Sequence, residues 1–484
     1  MIAFADMEPG HPEVTRTAAI ALWMAIWWMT EAVPLVVTSL LPIVLFPTLG
    51  IMSGKSVAPI YFNDIIALFI GGFLVALAME KWQLHRRIAL WFLRRCALGL
   101  RGLLLGTMVS TAFISMWISN TATAMMMVPI GMALTLKLEE SLGRERLGRY
   151  PTGLFLGIAY GANIGGIATL VGTPTNLIFP RILSISFPNA PAISFASWFF
   201  FGFPASAAML VLAWLLLARL YCPRGEKIVL DRRIFEEEYE ALGPIPLEEG
   251  IVLADFLLLA LLWIFRQDIP IGGVTIPGWS DLFGNPDYLD DGTVAIAMAL
   301  LLFLIPARRT PGERIIGWET ATRLPWDIVL LFGGGFALAE GFISSGLSLW
   351  LGTRLEALGA FHPLILIAGI CALATFLTEL ASNMATAQVL LPIIASMAML
   401  LRINPILPMI AATISCSMGF MLPVGTPPNA IVFGTGRVTI SEMIRTGLLI
   451  DILAILIVAA AAYFLGPPAF DASFDTFPDW AIQP

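Results

Sequence analysis

The sequence predicts an all-α polytopic membrane protein made of two inverted-topology repeats, each with five spanning helices and one re-entrant hairpin. Three observations predict it. First, apolar runs of bilayer-spanning length recur throughout. The 484 residues are 58% hydrophobic and 13% charged, with a mean hydropathy of +0.86, whereas charged residues reach roughly a quarter of a soluble domain. Second, SNTATAMMMVPI at 119–130 returns as SNMATAQVLLPI at 382–393, with seven of twelve positions identical. Third, apolar segments, polar breaks and charged loops follow one order in both halves. An odd number of crossings per half turns the second upside down relative to the first.

Residues 17–31 form a first apolar helix and 35–50 a second, with Pro34 at the bend; by length alone, 17–50 also fits one long tilted span. A third span covers 63–80, where Asp64 reads as a helix cap and Gly71 and Gly72 allow close helix approach. Residues 82–98 interleave Arg86, Arg87, Arg94 and Arg95 with Leu84, Leu90, Trp91 and Leu93, the pattern of a horizontal amphipathic helix on the membrane face. Residues 103–138 run into and out of the Ser-Asn-Thr break as the inner hairpin, and the apolar, Gly-rich segment 151–180 is broken at GTPTN, 172–176. A span at 198–219 completes the first repeat, 17–219. The stretch 220–247, with Arg224, Lys227, Arg232, Arg233 and the acid run 236–238, reads as a solvated cytoplasmic linker.

The second repeat, 248–466, keeps this order. In its first helix, 251–265, Trp263 matches Trp27, and beyond it Pro270 matches Pro34. An acidic loop at 267–291, a span at 292–306 and a loop bearing Arg308, Arg309, Arg314 and Arg323 follow. DIVLLFGGGFALAE at 327–340 echoes DIIALFIGGFLVALAME at 64–80. Then come the outer hairpin at 361–401, a broken helix at 406–434 with GTPPN at 425–429, a last span at 445–466 and an acidic tail, 467–484.

Basic residues set the orientation. With the horizontal helix inside, all but six of the 27 lysines and arginines fall in inside or inner-flank segments; the exceptions are Arg16, Lys55, Arg181, Arg266, Arg354 and Arg402. Ten spans then leave both termini outside, and the second hairpin enters from outside. Residues 1–15 have acids, two prolines and no basic n-region, which excludes a secretory signal. Cys96, Cys222, Cys371 and Cys416 show no CxxC spacing and read as packing residues; His11, His85 and His362 are too scattered for a metal site. No hydroxyl–His–acid spacing suggests a hydrolase, and neither a basic nucleic-acid patch nor a GxxxxGK loop is present.

The paired breaks carry the chemistry. Lipid tolerates non-helical backbone only where protein or a water-filled cavity covers it. Two such breaks, one per half, point to a binding site at the centre of a transporter. Helix N-termini there suit an anion, and non-helical carbonyls suit Na⁺. The tips offer Ser119, Asn120, Thr121, Ser382 and Asn383, with Thr173 and Thr426 at the second breaks and no basic residue near the motifs, so sodium would supply the positive charge. Met384 stands where the first half has Thr121, and reads equally as packing filler. A single break of this kind would be ordinary helix–helix glue; two ordered pairs favour a site. Asp255 and Glu379 lie in apolar surroundings, and intramembrane acids are functional by default. Glu379, four residues before Asn383, reads as bonding the hairpin tip; Glu31, at a helix end, has the same ambiguity.

SNTATA at 119–124, NIGGIATLVGTPTN at 163–176, SNMATA at 382–387 and LPVGTPPNAIVFG at 422–434 together resemble the divalent anion:sodium symporter family, and the resemblance covers nearly the whole chain. It implies sodium symport of a divalent anion, foremost a C4-dicarboxylate such as succinate, fumarate or malate, by an elevator-type transporter. It further implies a homodimer in the bacterial inner membrane. Each protomer would have a scaffold domain and a mobile transport domain holding both hairpins. Carried onto this chain, one sodium site uses Ser115, Ser119, Asn120 and Gly172, and the other Thr378, Ala381, Asn383 and Gly425. The substrate touches Asn120, Thr121, Thr173, Pro174, Ser382, Asn383, Thr426 and Pro427. Sodium-independent dicarboxylate exchange, sulfate or citrate symport, a passive anion channel and a membrane enzyme are the alternatives. Family members have eleven spans, and this chain begins close to the second of them.

Overall fold

The computed structural model describes residues 7–96, 99–223, 233–271, 274–355, 359, 361–474 and 476–482. Arg224, Lys227 and Arg232 of the predicted linker, and the last two residues of the predicted horizontal helix, lie outside these. The protein is an all-α, multi-pass integral membrane protein. Among the described residues, six stretches are long and apolar enough to cross a bilayer: Gly54–Lys81, Asn120–Leu142, Phe195–Tyr221, Trp326–Ser344, Asn383–Leu400 and Ile440–Phe464. Two of the six are arms of the predicted hairpins. The other predicted crossings are made by helices that are shorter, broken or more charged.

Helix α1 (Pro12–Thr30) starts on a proline, which needs no N–H partner there, and stops at Glu31 with φ 47°. The predicted helix 35–50 is two short pieces, Leu35–Thr38 and Leu41–Thr48. Helix α2 (Asp64–Lys81) corrects the reading of its cap. Extended Asn63, not Asp64, accepts the amides of Ile65 and Ile66, and Asp64 is the first helical residue. Gln83 (φ 60°) turns the chain into the amphipathic α3 (Leu84–Cys96), whose Leu84, Leu90 and Leu93 are buried while Arg86 and Arg95 are exposed. Helices α4 (Leu100–Ser115) and α5 (Asn120–Leu142) flank the Ser-Asn-Thr break. Helices α6 (Tyr150–Gly166) and α7 (Pro174–Ser186) flank the next, and α8 (Phe195–Tyr221) follows.

The second half runs α9 (Leu247–Ile264), a two-stranded hairpin of β1 (Ile269–Ile271) and β2 (Val274–Ile276), and α10 (Asp291–Leu304). Then follow α11 (Trp326–Ser344), α12 (Pro363–Thr378) and α13 (Asn383–Leu400) about the second tip. Helices α14 (Ile406–Ser415) and α15 (Pro427–Gly434) flank the last break, and α16 (Ile440–Phe464) closes the set. The strands correct one correspondence. Pro270 sits in β1 and not at a helix bend. The partner of Trp263 is Trp28, not Trp27. Both are buried, and each donates its indole N–H to a carbonyl at the start of the next apolar helix, Leu35 O at 3.2 Å and Asp291 O at 2.9 Å.

The breaks after α6 and α14 are closed by the same device. Asn176 Nδ2 donates to Gly166 O and Thr169 O at 3.0 and 2.7 Å, and Asn429 Nδ2 donates to Gly419 O and Leu422 O, both at 3.0 Å. In each case the carbonyls lie ten and seven residues before the asparagine. Both side chains are fully buried. Glycines let the long helices press against these loops: a Cβ on Gly202 of α8 would collide with Ile167 O, and one on Gly447 of α16 with Phe420 O.

Ion pairs gather the charged loops into two clusters. In one, Arg87 of α3 bonds Glu249 through Nε and Nη2 (2.5 and 3.0 Å), Glu248 accepts the amides of Arg308 and Arg309, and Lys81 reaches Glu313. In the other, Arg149 pairs with Glu442 and Arg437 with Glu139. Removing either carboxamide staple strands two buried carbonyls, each worth about 1–3 kcal/mol. Asn176→Ala and Asn429→Ala are therefore each expected to lower the melting temperature of the purified protein in detergent by several degrees. Melting curves that match the parent for both variants would refute the staple assignment.

Candidate functional site

Four helices begin on one cavity of about 880 Å³: α5 at Asn120, α7 at Pro174, α13 at Asn383 and α15 at Pro427. Their caps are Ser119, Thr173, Ser382 and Thr426. Proline at the first helical position of α7 and α15 suits the start of a helix, because no amide is lost there. Ser119 Oγ accepts the Ala122 amide and Thr426 Oγ1 the Asn429 amide, while Thr173 and Ser382 make no such side-chain bond. Each N-terminus carries a partial charge of roughly +0.5, an arrangement that suits an anion, although α15, beginning Pro427-Pro428, brings its helix end without N–H groups at its first two residues.

All eight residues expected to touch substrate line this cavity. Among the described residues no lysine, arginine or histidine does, whereas Glu31 and Asp327 do. Of the expected sodium ligands, Ser119, Asn120, Ala381, Asn383 and Gly425 reach the cavity wall. Ser115, Thr378 and Gly172 lie buried behind it.

The donor set fits a hard cation best in the second half. Asn383 Oδ1 lies 2.8 Å from Thr378 Oγ1, 3.1 Å from Cys416 O and 3.3 Å from Gly425 O, and Thr378 Oγ1 donates to Cys416 O at 2.7 Å. Four oxygens thus converge where a carboxamide turned by 180° would instead donate through its nitrogen. An oxygen cluster is what a hard cation takes. Ala381 has only its carbonyl to give. In the first half Ser115 Oγ donates to Asn120 Oδ1 at 2.7 Å. A Cβ on Gly166 would collide with Asn120 Oδ1, so this glycine leaves the room that the carboxamide fills, and one on Gly172 would collide with Gly166 O, so the second glycine lets the break fold back against the first. No described bond joins Gly172 to Asn120 directly.

Glu379 takes the structural role expected of it: its two oxygens accept the amides of Met421 and Leu422 at 2.7 and 2.9 Å, tying the second tip to the last break. Sequence reasoning missed Asn163, which is fully buried, lines the cavity, and bonds both Asn120 and Thr426. Its signal was available, since it is the single amide in the apolar, Gly-rich helix α6. Cys416 O, the unforeseen fourth oxygen, has no sequence signal, because any residue supplies a carbonyl.

The fold is similar to that of the YdaH transporter of Alcanivorax borkumensis, with a TM-score of 0.60 at 16% identity, covering 95% of this chain and 100% of that one. It is also similar to MtrF of Neisseria gonorrhoeae, with a TM-score of 0.56 at 15% identity, covering 93% and 94%. These likenesses are of fold alone. In sequence, the sodium-dependent dicarboxylate transporter SdcS of Staphylococcus saprophyticus is 40% identical over 456 residues, covering 93% of this chain and 86% of its own. SdcS of Staphylococcus aureus is 39% identical over 461 residues, covering 93% and 85%. Residues 10–469 match the family described as the sodium:sulfate symporter transmembrane region, and the chain belongs to that family.

Proposed function

We propose that this chain is a secondary transporter that carries a C4-dicarboxylate together with Na⁺. The convergence of four helix N-termini on a cavity where, among the described residues, no basic side chain stands carries the reading. A dianion entering that cavity meets two carboxylates, Glu31 and Asp327, and finds positive charge only at helix ends. Cations bound at the oxygen clusters behind Asn120 and Asn383 supply the rest. Ion binding therefore precedes and promotes anion binding, which is the requirement for symport. Relatives at 39% and 40% identity named sodium-dependent dicarboxylate transporters support the same substrate class.

The architecture that goes with this reading is two inverted repeats. In it, α4–α5 and α12–α13 are re-entrant hairpins meeting near the bilayer midplane, within a transport domain that slides as an elevator against the scaffold of its protomer in a homodimer of the inner membrane. Two observations support it. The staples of Asn176 and Asn429 repeat at identical spacing. Loops that the charge pattern puts inside pack together, Lys81 with Glu313 and Arg87 with Glu249. Glu31 ends α1 and Asp327 begins α11, both on the face that the charge pattern assigns to the cytoplasm, so the cavity is open inward.

In proteoliposomes, succinate uptake is expected to require a sodium gradient; full uptake in sodium-free buffer would select exchange instead. Asn120→Ala and Asn383→Ala each remove a ligand from a cation cluster. Each should cut uptake at least about tenfold with the melting temperature nearly kept, and undiminished uptake in both would dismiss the site. Met384→Thr restores to the second tip the hydroxyl found at Thr121. It should tighten the apparent succinate affinity severalfold, as read by competition among succinate, citrate and sulfate, and an unaltered order and affinity would remove Met384 from the specificity argument.

A further inference from the structure

The two halves of the site are built alike except at one position. Thirteen residues before Asn176 stands Asn163, and thirteen before Asn429 stands Cys416. Asn163 Oδ1 accepts from Asn120 Nδ2 at 3.4 Å, and its Nδ2 donates to Thr426 Oγ1 at 2.9 Å. Among the described residues this is the only side-chain path between the first-half cluster of Ser115 and Asn120 and the second-half break at Thr426. Cys416 offers a thiol where a second, symmetric bridge would need an amide, and its carbonyl is already turned to Thr378.

The bridge has a definite polarity. Thr426 Oγ1 accepts from Asn163 Nδ2 and, at 3.4 Å, from the Asn429 amide. A hydroxyl has one proton and two lone pairs. With both lone pairs engaged, the Thr426 proton has to be donated outward, and Thr426 lines the cavity. Asn163 thereby makes Thr426 a donor, the polarity a carboxylate needs. At its other end the same rigid carboxamide is held by Asn120, whose oxygen belongs to the first cation cluster.

We propose that Asn163 is a positioning residue that couples the two halves: it relays the setting of Asn120 in the first cation cluster to the Thr426 hydroxyl that meets the anion. This rests on the symport reading above. The long 3.4 Å bond is the adjustable link, and fixing Asn120 by a bound cation shortens it and locks the carboxamide plane.

The test uses binding, not transport. Ligand-induced thermal stabilisation is measured on the purified full-length protein in detergent, with succinate titrated at a series of sodium concentrations. The proteins are the parent, Asn163→Ala, Thr426→Val and the double variant. The expected result is a roughly tenfold weaker succinate affinity in each single variant. The double variant should be no weaker than the worse single one, and the sodium dependence of succinate affinity should be flattened in Asn163→Ala. Losses that multiply in the double variant, or a parental sodium dependence in Asn163→Ala, overturn the proposal. Should Asn163→Ala fail to give a monodisperse protein, Asn163→Asp keeps the shape and reverses the polarity at Thr426. It is expected to abolish the succinate shift while keeping a sodium shift, and parental succinate affinity in it overturns the proposal equally. A parent protein with no succinate shift at any sodium concentration overturns the symport reading instead, and is seen before any variant is read.

Discussion

Everything in this structure depends on one constraint: a helix broken inside a membrane strands backbone donors and acceptors where no bulk water can satisfy them. The protein answers unequally. The stranded carbonyls are met by its own side chains. Asn176 and Asn429 take two each, Trp198 Nε1 donates to Ile167 O, Ser206 Oγ to Ile164 O, and Thr169 Oγ1 to Met116 O. At the starts of α5, α7 and α13 few side-chain bonds meet the first amides, the one described being Ala122 N to Ser119 Oγ, whereas α15 begins with two prolines and its Asn429 amide goes to Thr426 Oγ1. Most of the stranded acceptors are consumed internally, while Gly425 O is left beside the Asn383 carboxamide at the cavity wall. The proposed division between an anion at the helix starts and cations at the remaining oxygens would then follow from how the breaks are stabilised.

The same constraint explains the small residues. A loop that carries its polar groups inward must be approached closely, or water-sized gaps would open around unpaired carbonyls. Gly202 and Gly447 bring long helices onto the two loops, and Gly165 packs α6 onto the backbone of Ala112 in α4. Gly166 then leaves space that the Asn120 carboxamide occupies, and Gly172 packs against the backbone of Gly166. Packing and ligand geometry are the same atoms here, so a side chain added at these glycines would displace a binding group as well as a helix.

Much of this was legible in the sequence, for physical reasons. A polar pair in an apolar run has few innocuous explanations in lipid, and its recurrence at 382–393 left fewer; the helices do end and restart at both polar pairs and both GTPxN stretches, and residues of all four line one cavity. What was not legible is what depends on contacts between distant segments. The cap of α2 is Asn63 because extended backbone there aims its oxygen at two amides, a distinction that the adjacent pair Asn63 and Asp64 does not announce. The match of Trp263 fell on Trp27 because one offset was made to serve Pro270 as well; Pro270 belongs to a strand pair, and the indole bonds that equate Trp28 with Trp263 are long-range contacts that spacing does not record. Cys416 contributes a main-chain oxygen, which no composition or spacing records.

The residual asymmetry deserves weight because the scaffold around it is so nearly duplicated. The first half brings Thr121, Asn163 and Thr175 to the cavity, while the second puts Met384, Cys416 and Pro428 at the matching positions. Four of the six are second residues of the helices that begin on the cavity, Thr121 against Met384 and Thr175 against Pro428, and Pro428 has no main-chain N–H to offer. The main-chain amides of Asn383 and Met384 do not depend on the side chain at 384, so α13 still presents donors on that side, whereas α15, which begins Pro427-Pro428, presents only its helix end. What that side lacks is one hydroxyl, at Met384, and one amide, at Pro428, while Ser382 and Thr426 keep their hydroxyls on the cavity. On the proposed reading, a carboxylate at the first-half start meets more directed donors than one at the second, where the field of helix ends and a nearby cation carries more of the attraction and falls off gradually with displacement. A site built this way grips an anion at one end while tolerating variation at the other.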